Sequence, residues 1–110
     1  MAVPNHIMIL APWEVISRER ATNFDRELQR EVAPGHPLFG VQAVAVVTTG
    51  ARDDVLFELS GHEYPLAHVH LTWSQKQMND IRWPRTQFFA SWEDWVREKL
   101  IPDHDEYNLS

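Results

Sequence analysis

The chain has 110 residues, a mass of 12.9 kDa, a formal net charge of −6 and no cysteine. That length suits a single domain with its own core, and the absence of cysteine excludes a disulfide framework, a thiolate nucleophile and any zinc site that needs sulfur. An apolar fraction of 44% with five tryptophans argues against disorder, and a pI near 5.4 argues against nucleic-acid binding, which rests on clustered Lys and Arg.

The first predicted element is a helix within Pro12–Val32. Thr22 and Asp25 have the spacing of a capping box, and Ala21, Phe24, Leu28 and Val32 recur at three- and four-residue intervals. Pro12–Ile16 reads as an earlier turn of that helix or as a separate short one, and Ala33–Pro37, with two prolines and a glycine, stops it. Val41–Thr49 is β-branched and apolar on both faces through its middle, the pattern of a central strand. A turn at 50–53 leads to a second strand, Asp54–Leu59, with Val55, Phe57 and Leu59 on one face and Leu56 and Glu58 on the other. After a turn at Ser60–Pro65, a third strand over Leu66–Trp73 sets Ala67, Val69, Leu71 and Trp73 against Leu66, His68, His70 and Thr72.

Ser74–Pro84 is polar and aperiodic, which predicts a loop, and Arg85–Ala90 is a candidate fourth strand at a sheet edge beside Pro84. Ser91 and Asp94 form a second capping box, opening a helix in which Trp92, Trp95, Val96 and Lys99-Leu100 give the apolar stripe; Pro102 is expected to end it, with an acidic tail behind. Short connections between the strands favour an antiparallel meander. The expectation is therefore one α+β domain over 1–110, of two layers. Three or four antiparallel strands would be covered on one face by an N-terminal and a C-terminal helix, with residues 1–10 and 103–110 as flexible ends.

The most pointed chemical feature is His68-Val-His70. Residues i and i+2 on a strand face the same way about 7 Å apart, so two imidazoles there suit a divalent metal, with Glu58 as a third, carboxylate ligand if strands two and three pair. The competing reading is that both rings sit half exposed on an outer sheet face, hydrogen-bonded to Glu58 or a helix end. His36 lies between a glycine and a proline, where its backbone matters more than its ring; His62 sits at a hairpin tip, His104 in the acidic tail and His6 near the chain start. Asp53-Asp54 reads as shaping the turn, since neighbouring strand residues point to opposite faces. There is no Gly-x-Ser-x-Gly elbow, and four scattered glycines supply no phosphate loop.

Trp73, Trp83, Trp92 and Trp95 fall close together with Arg82 and Arg85, the residue types of binding hot spots. Trp92 and Trp95 also suit core filling, and Trp83 a stacking contact with arginine. Charge is uneven: residues 1–50 hold five acids and four bases, and residues 51–110 hold eleven acids and six bases. His36-Pro-Leu-Phe-Gly40, Asp53-Asp-Val-Leu-Phe-Glu-Leu59, Val69-His-Leu-Thr-Trp-Ser74 and Ser91-Trp-Glu-Asp-Trp95 together give a succession that resembles small uncharacterised bacterial proteins over about residues 24–107. The resemblance implies a bacterial cytosolic setting and carries no activity, cofactor or site residue.

These observations lead to an expected small, acidic, non-enzymatic module that binds a protein partner, its most concrete form an inhibitor or immunity-type protein that neutralises a basic enzyme. The expected surface joins Glu58, His68, His70 and Thr72 to Trp73, Trp83 and Arg85. One alternative is a metal-binding protein or metal-dependent enzyme built on His68, His70 and Glu58; another is a structural homodimer through Leu56 and Leu66. No apolar run approaches the roughly 18 residues of a membrane helix, and the N-terminus lacks the basic start of a signal peptide, so a cytoplasmic location without membrane contact is the expectation.

Overall fold

β-Branched and aromatic runs separated by short turns pair in sequence order. A computed structural model describes residues 3–49 and 53–109 and places five strands in one sheet. They are β1 (Trp13–Val15), β2 (Gln42–Thr49), β3 (Asp54–Ser60), β4 (Leu66–His70) and β5 (Arg85–Phe89), each antiparallel to the next. Helix α1 (Arg18–Glu31) follows β1. After β5 the chain is helical to residue 109: α2 (Trp92–Trp95), a π-helical turn (Val96–Leu100) and α3 (Ile101–Leu109). Among the described residues, no helix is long and apolar enough to cross a membrane.

The α+β class and the antiparallel meander stand; the layering is corrected. The two helical regions lie on opposite faces of the sheet, giving three layers. On one face Ala43, Ala45, Val55, Phe57, Leu59, Ala67, Val69 and Leu71 pack with Ala21 and Leu28 of α1 and with Val32, which caps its C-terminus. On the other, Val47, Leu56, Leu66 and Phe89 pack with Trp13, Trp95 and Leu100. The physical reason is the two-sided apolar pattern of β3 and β4: Leu56 and Leu66 are 0% exposed, so neither can serve the homodimer contact expected of them. An irregularity between Ala45 and Val47 of β2 re-phases the strand, so that Ala45 faces one core while Val46 and Val47 face the other.

Four element boundaries differ from expectation. Trp13–Val15 is an edge strand paired with Thr49–Val47, consistent with its aromatic and β-branched content. Helix α1 begins four residues before the Thr22 box, because Ser17 caps it by accepting the Arg20 N–H at 3.2 Å; Asp25 instead accepts the Ala45 N–H of β2 at 2.8 Å. Strand β4 stops at His70: the Leu71 N–H still reaches the Asp53 carbonyl at 3.2 Å, but the Thr72 and Trp73 amides turn to Glu31 of α1 rather than to β5. Pro102 does not end the C-terminal helix: the π-turn ahead of it, closed by the Ile101 N–H to the Val96 carbonyl, puts the proline in the first turn of α3, where its missing donor is not needed. Of the turn expected at 50–53, only Asp53 lies within the described residues, at φ 58°.

Described residues near both ends pack on the body. Val3, Ile9 and Leu10 pack against the Trp95 cluster. The Trp13 indole N–H donates to Asp103 Oδ2 at 2.8 Å, and His104 Nδ1 lies 2.6 Å from the Ala11 carbonyl, its proton bonding the chain start to α3.

Candidate functional site

The register of β3 and β4 decides which carboxylate meets the two histidines. Leu56 lies opposite His68 and Asp54 opposite His70, while Glu58 pairs with Leu66. Asp54, expected only to shape a turn, therefore replaces Glu58 beside the imidazoles. Its Oδ1 is 2.8 Å from His70 Nδ1 and its Oδ2 is 3.3 Å from His68 Nε2. Burial works to raise the Asp54 carboxyl, but the hydrogen bonds and charges of His68 and His70 outweigh it, and the net effect holds the group below the usual carboxylate range. Burial pushes the Glu58 carboxyl up, away from this cluster.

His68 is enclosed rather than half exposed, with 9% of its side chain accessible. The Trp95 indole N–H, a donor only, points at His68 Nδ1 at 3.1 Å, which makes that nitrogen the acceptor and puts the neutral ring's proton on Nε2, facing Asp54. Trp13 meets the ring edge-on at 5.4 Å. Both nitrogens of His68 are thus engaged, and no lone pair is left for a metal. Among the described residues, no group of three or more His, Cys, Asp and Glu side chains is placed to hold one. His70 is different: with Nδ1–H held by Asp54, its Nε2 makes no hydrogen bond among the described residues, and 45% of its side chain is accessible. It opens on a cleft of about 340 Å³ whose walls include Arg85 and Lys99. Arg85 opposes His70 across the β4–β5 pair, and its guanidinium lies 5.0 Å over the Trp83 ring. Lys99 comes from the π-turn, a helix distortion often found at sites of function.

Asp54 gives a pH prediction. A carboxyl held low stays charged where the unfolded chain's carboxyl has already protonated, so its contribution is full above about pH 4 and is lost as pH falls. Asp54→Asn is expected to lower stability at neutral pH by about 1–3 kcal/mol and to flatten the acid limb of urea-unfolding midpoints measured from pH 5 to pH 2.5. An acid limb of unchanged steepness would contradict this role.

A second site is built on the other face of the sheet. Glu27 and Glu31, one helical turn apart on α1, are 1% and 0% exposed. Glu31 accepts the Thr72 N–H with both oxygens, at 3.0 and 3.1 Å, and the Trp73 N–H at 2.8 Å; Glu27 Oε2 accepts the Gln75 N–H at 3.0 Å. These bonds hold Trp73 and Gln75 at φ 56° and 60°, left-handed conformations that side chains seldom adopt. The Trp73 ring rests edge-on against Phe24 at 5.5 Å, stays 37% exposed, and with Phe24, Arg20, Arg26 and Arg30 walls a cavity of about 380 Å³. Burial, with help from the neighbouring Glu27, pushes the Glu31 carboxyl up to about 7 against the lowering effect of the amides from Thr72 and Trp73.

The expected single surface is therefore two. His68, His70, Trp83 and Arg85 belong with Asp54 and Lys99 on the C-terminal-helix side; Thr72 and Trp73 belong with α1. Glu58 joins neither. His36, read as a backbone position, uses its ring: Nδ1 accepts the Leu38 N–H at 3.0 Å, and Nε2, which then carries the proton, donates to the Pro84 carbonyl at 2.8 Å. Asp54 was findable from sequence, since a hairpin centred on His62 sets it opposite His70. Lys99, Glu27 and Glu31 had no local signal. No family model, curated protein or solved structure matches the chain.

Proposed function

We propose that this protein is a non-enzymatic binding module that engages a protein partner through the Trp73 cavity. The observation that carries this reading is a half-exposed tryptophan held in a strained backbone conformation by two buried carboxylates. A left-handed non-glycine residue costs on the order of 1–3 kcal/mol and persists only where its surroundings over-determine it. Glu31 and Glu27 do so here, and the result is a rigid aromatic anchor with little ordering entropy left to lose on binding. Arginines beside an anchored tryptophan are the composition of interface hot spots.

Charge refines the kind of partner. Arg18, Arg20, Arg26 and Arg30 of α1 are exposed against one exposed acid, Glu19, whereas Glu27 and Glu31 are buried, so the helix is net basic in a chain of net −6, even with Arg20 paired to Glu14. An acidic segment with an apolar residue for the cavity fits it better than the basic partner suggested by net charge. The acids of the second half lie largely on the opposite side, at Glu93, Asp94, Glu98, Asp103, Asp105 and Glu106.

Quantitative affinity capture from native extract, comparing the wild type with Trp73→Ala, tests the reading. The variant is expected to lose the retained partner by about 30-fold or more, as hot-spot anchors do, while its thermal midpoint stays within a few degrees. If Trp73→Ala binds as before while reversing Glu93 and Glu98 abolishes capture, the acidic helix is the interface and the proposal fails.

A further inference from the structure

The cleft beside His70 lies across the sheet from Trp73 and carries an inference of its own. We propose that it binds a phosphate-class oxyanion, and that His70 takes up a proton when the anion enters. Arg85 and Lys99 line the cleft, and neither forms an ion pair among the described residues. Gathering two permanent cations and an outward imidazole nitrogen in one recess is unfavourable unless something anionic completes it. Asp54 is the one carboxylate in the lining, and its two oxygens are already given to His68 and His70.

With both imidazoles neutral the lining therefore carries a net charge of +1, and protonation of His70 at Nε2 raises it to +2, which matches a phosphate dianion. His70 is built for that step. Asp54 Oδ1 holds Nδ1–H, so the imidazolium is stabilised on one side by a fixed carboxylate while the new Nε2–H points at the ligand. His68 cannot take part, because Trp95 occupies its other nitrogen. Stacking on Trp83 orders the Arg85 guanidinium before binding and lowers the entropic cost of the contact. Gln87, which faces His68 across the strand pair, adds an amide donor to the lining. The groups facing His70 are thus Asp54 from β3, His68 from its own strand, Trp83 from the loop ahead of β5, Arg85 at the start of β5, and Lys99 from the π-turn.

Titration calorimetry of the full chain tests this. Sulfate serves first, because it stays a dianion from pH 5.5 to pH 8 and any proton uptake then belongs to the protein. In two buffers of different ionisation enthalpy, the wild type is expected to bind sulfate with net proton uptake near pH 6.5 and to bind more weakly at pH 8. His70→Gln is expected to abolish the uptake, and Arg85→Ala and Lys99→Ala each to weaken binding by about tenfold, with thermal midpoints confirming folded protein. Inorganic phosphate and O-phosphoserine then separate a free anion from a phosphorylated side chain, the tighter of the two naming the source. No saturable binding of any of the three, or binding that neither Arg85→Ala nor Lys99→Ala weakens, overturns the proposal. Binding without proton uptake overturns the part assigned to His70.

Discussion

Replacing Trp95 with alanine is expected to cost about 4 kcal/mol, enough to unfold a marginal domain at 37 °C. The indole is 0% exposed and stands where the C-terminal helix meets the sheet. It makes edge contacts with Trp13 at 5.0 Å and Trp92 at 5.8 Å, and its N–H satisfies His68. Alanine would leave a cavity under the helix and a buried imidazole nitrogen without its donor. Trp95→Phe separates the two effects: it keeps most of the volume and removes the hydrogen bond, so a loss of about 1–2 kcal/mol is expected. Urea unfolding followed by far-UV circular dichroism measures both. A Trp95→Ala loss below about 1.5 kcal/mol would mean that the C-terminal helix adds little to the core, against the large-to-small range for buried aromatics.

The second large effect is a pH dependence set by Glu31. Its carboxyl is raised to about 7 in the folded protein, whereas the unfolded chain titrates it near 4.5. Between those values the folded state binds the extra proton, so stability is full below about pH 4.5 and falls as pH rises through about 7. The full gap corresponds to a loss on the order of 3–4 kcal/mol. The physical picture is a proton kept between two buried carboxylates that also bind backbone amides; removing it leaves like charges side by side. Glu31→Gln keeps an oxygen for the Thr72 and Trp73 amides and supplies a permanent donor to Glu27. The urea midpoint of the wild type is expected to fall from pH 5 to pH 8, and that of the variant to stay nearly level. A variant that tracks the wild type across the range would assign the slope to another group. Asp54 does not confuse the result, because its contribution changes only in the acid range.

The same pair bears on recognition. The Thr72 and Trp73 amides favour the charged form of Glu31, but ionising it sets two buried carboxylates against each other and strains the Glu27 half of the clamp, which holds Gln75 beside Trp73. Binding through the Trp73 cavity is therefore expected to weaken above pH 7.5 in the wild type and to lose that dependence in Glu31→Gln, as read by affinity at pH 6.5 and pH 8.5.

Much of the architecture was legible in the chain because it is local. Alternation in β3 and β4, the turn at Ser60–Pro65 and the Ser91 cap, whose hydroxyl accepts the Asp94 N–H at 3.1 Å, each depend on residues within a few positions of one another. Composition also sufficed to exclude sulfur chemistry. The side of the sheet on which each helix packs was not local information. Leu56 and Leu66 signalled burial on the second face, yet nothing near them says that residues 92–100 provide the cover, since that contact spans roughly thirty residues of chain. The partner of the histidines followed from strand register, and a shift of register exchanges one acid for another. Tertiary structure alone decided that Glu27 and Glu31 are buried, because on a helical wheel they resemble ordinary solvated acids; the loop amides they bind, with Arg30 3.6 Å from Glu27, offset the cost of their burial. Their burial leaves the arginines of α1 to define its surface. The net charge of −6 is a property of the sequence, but three-layer packing divides it into a basic helix on one face and an acidic helix on the other.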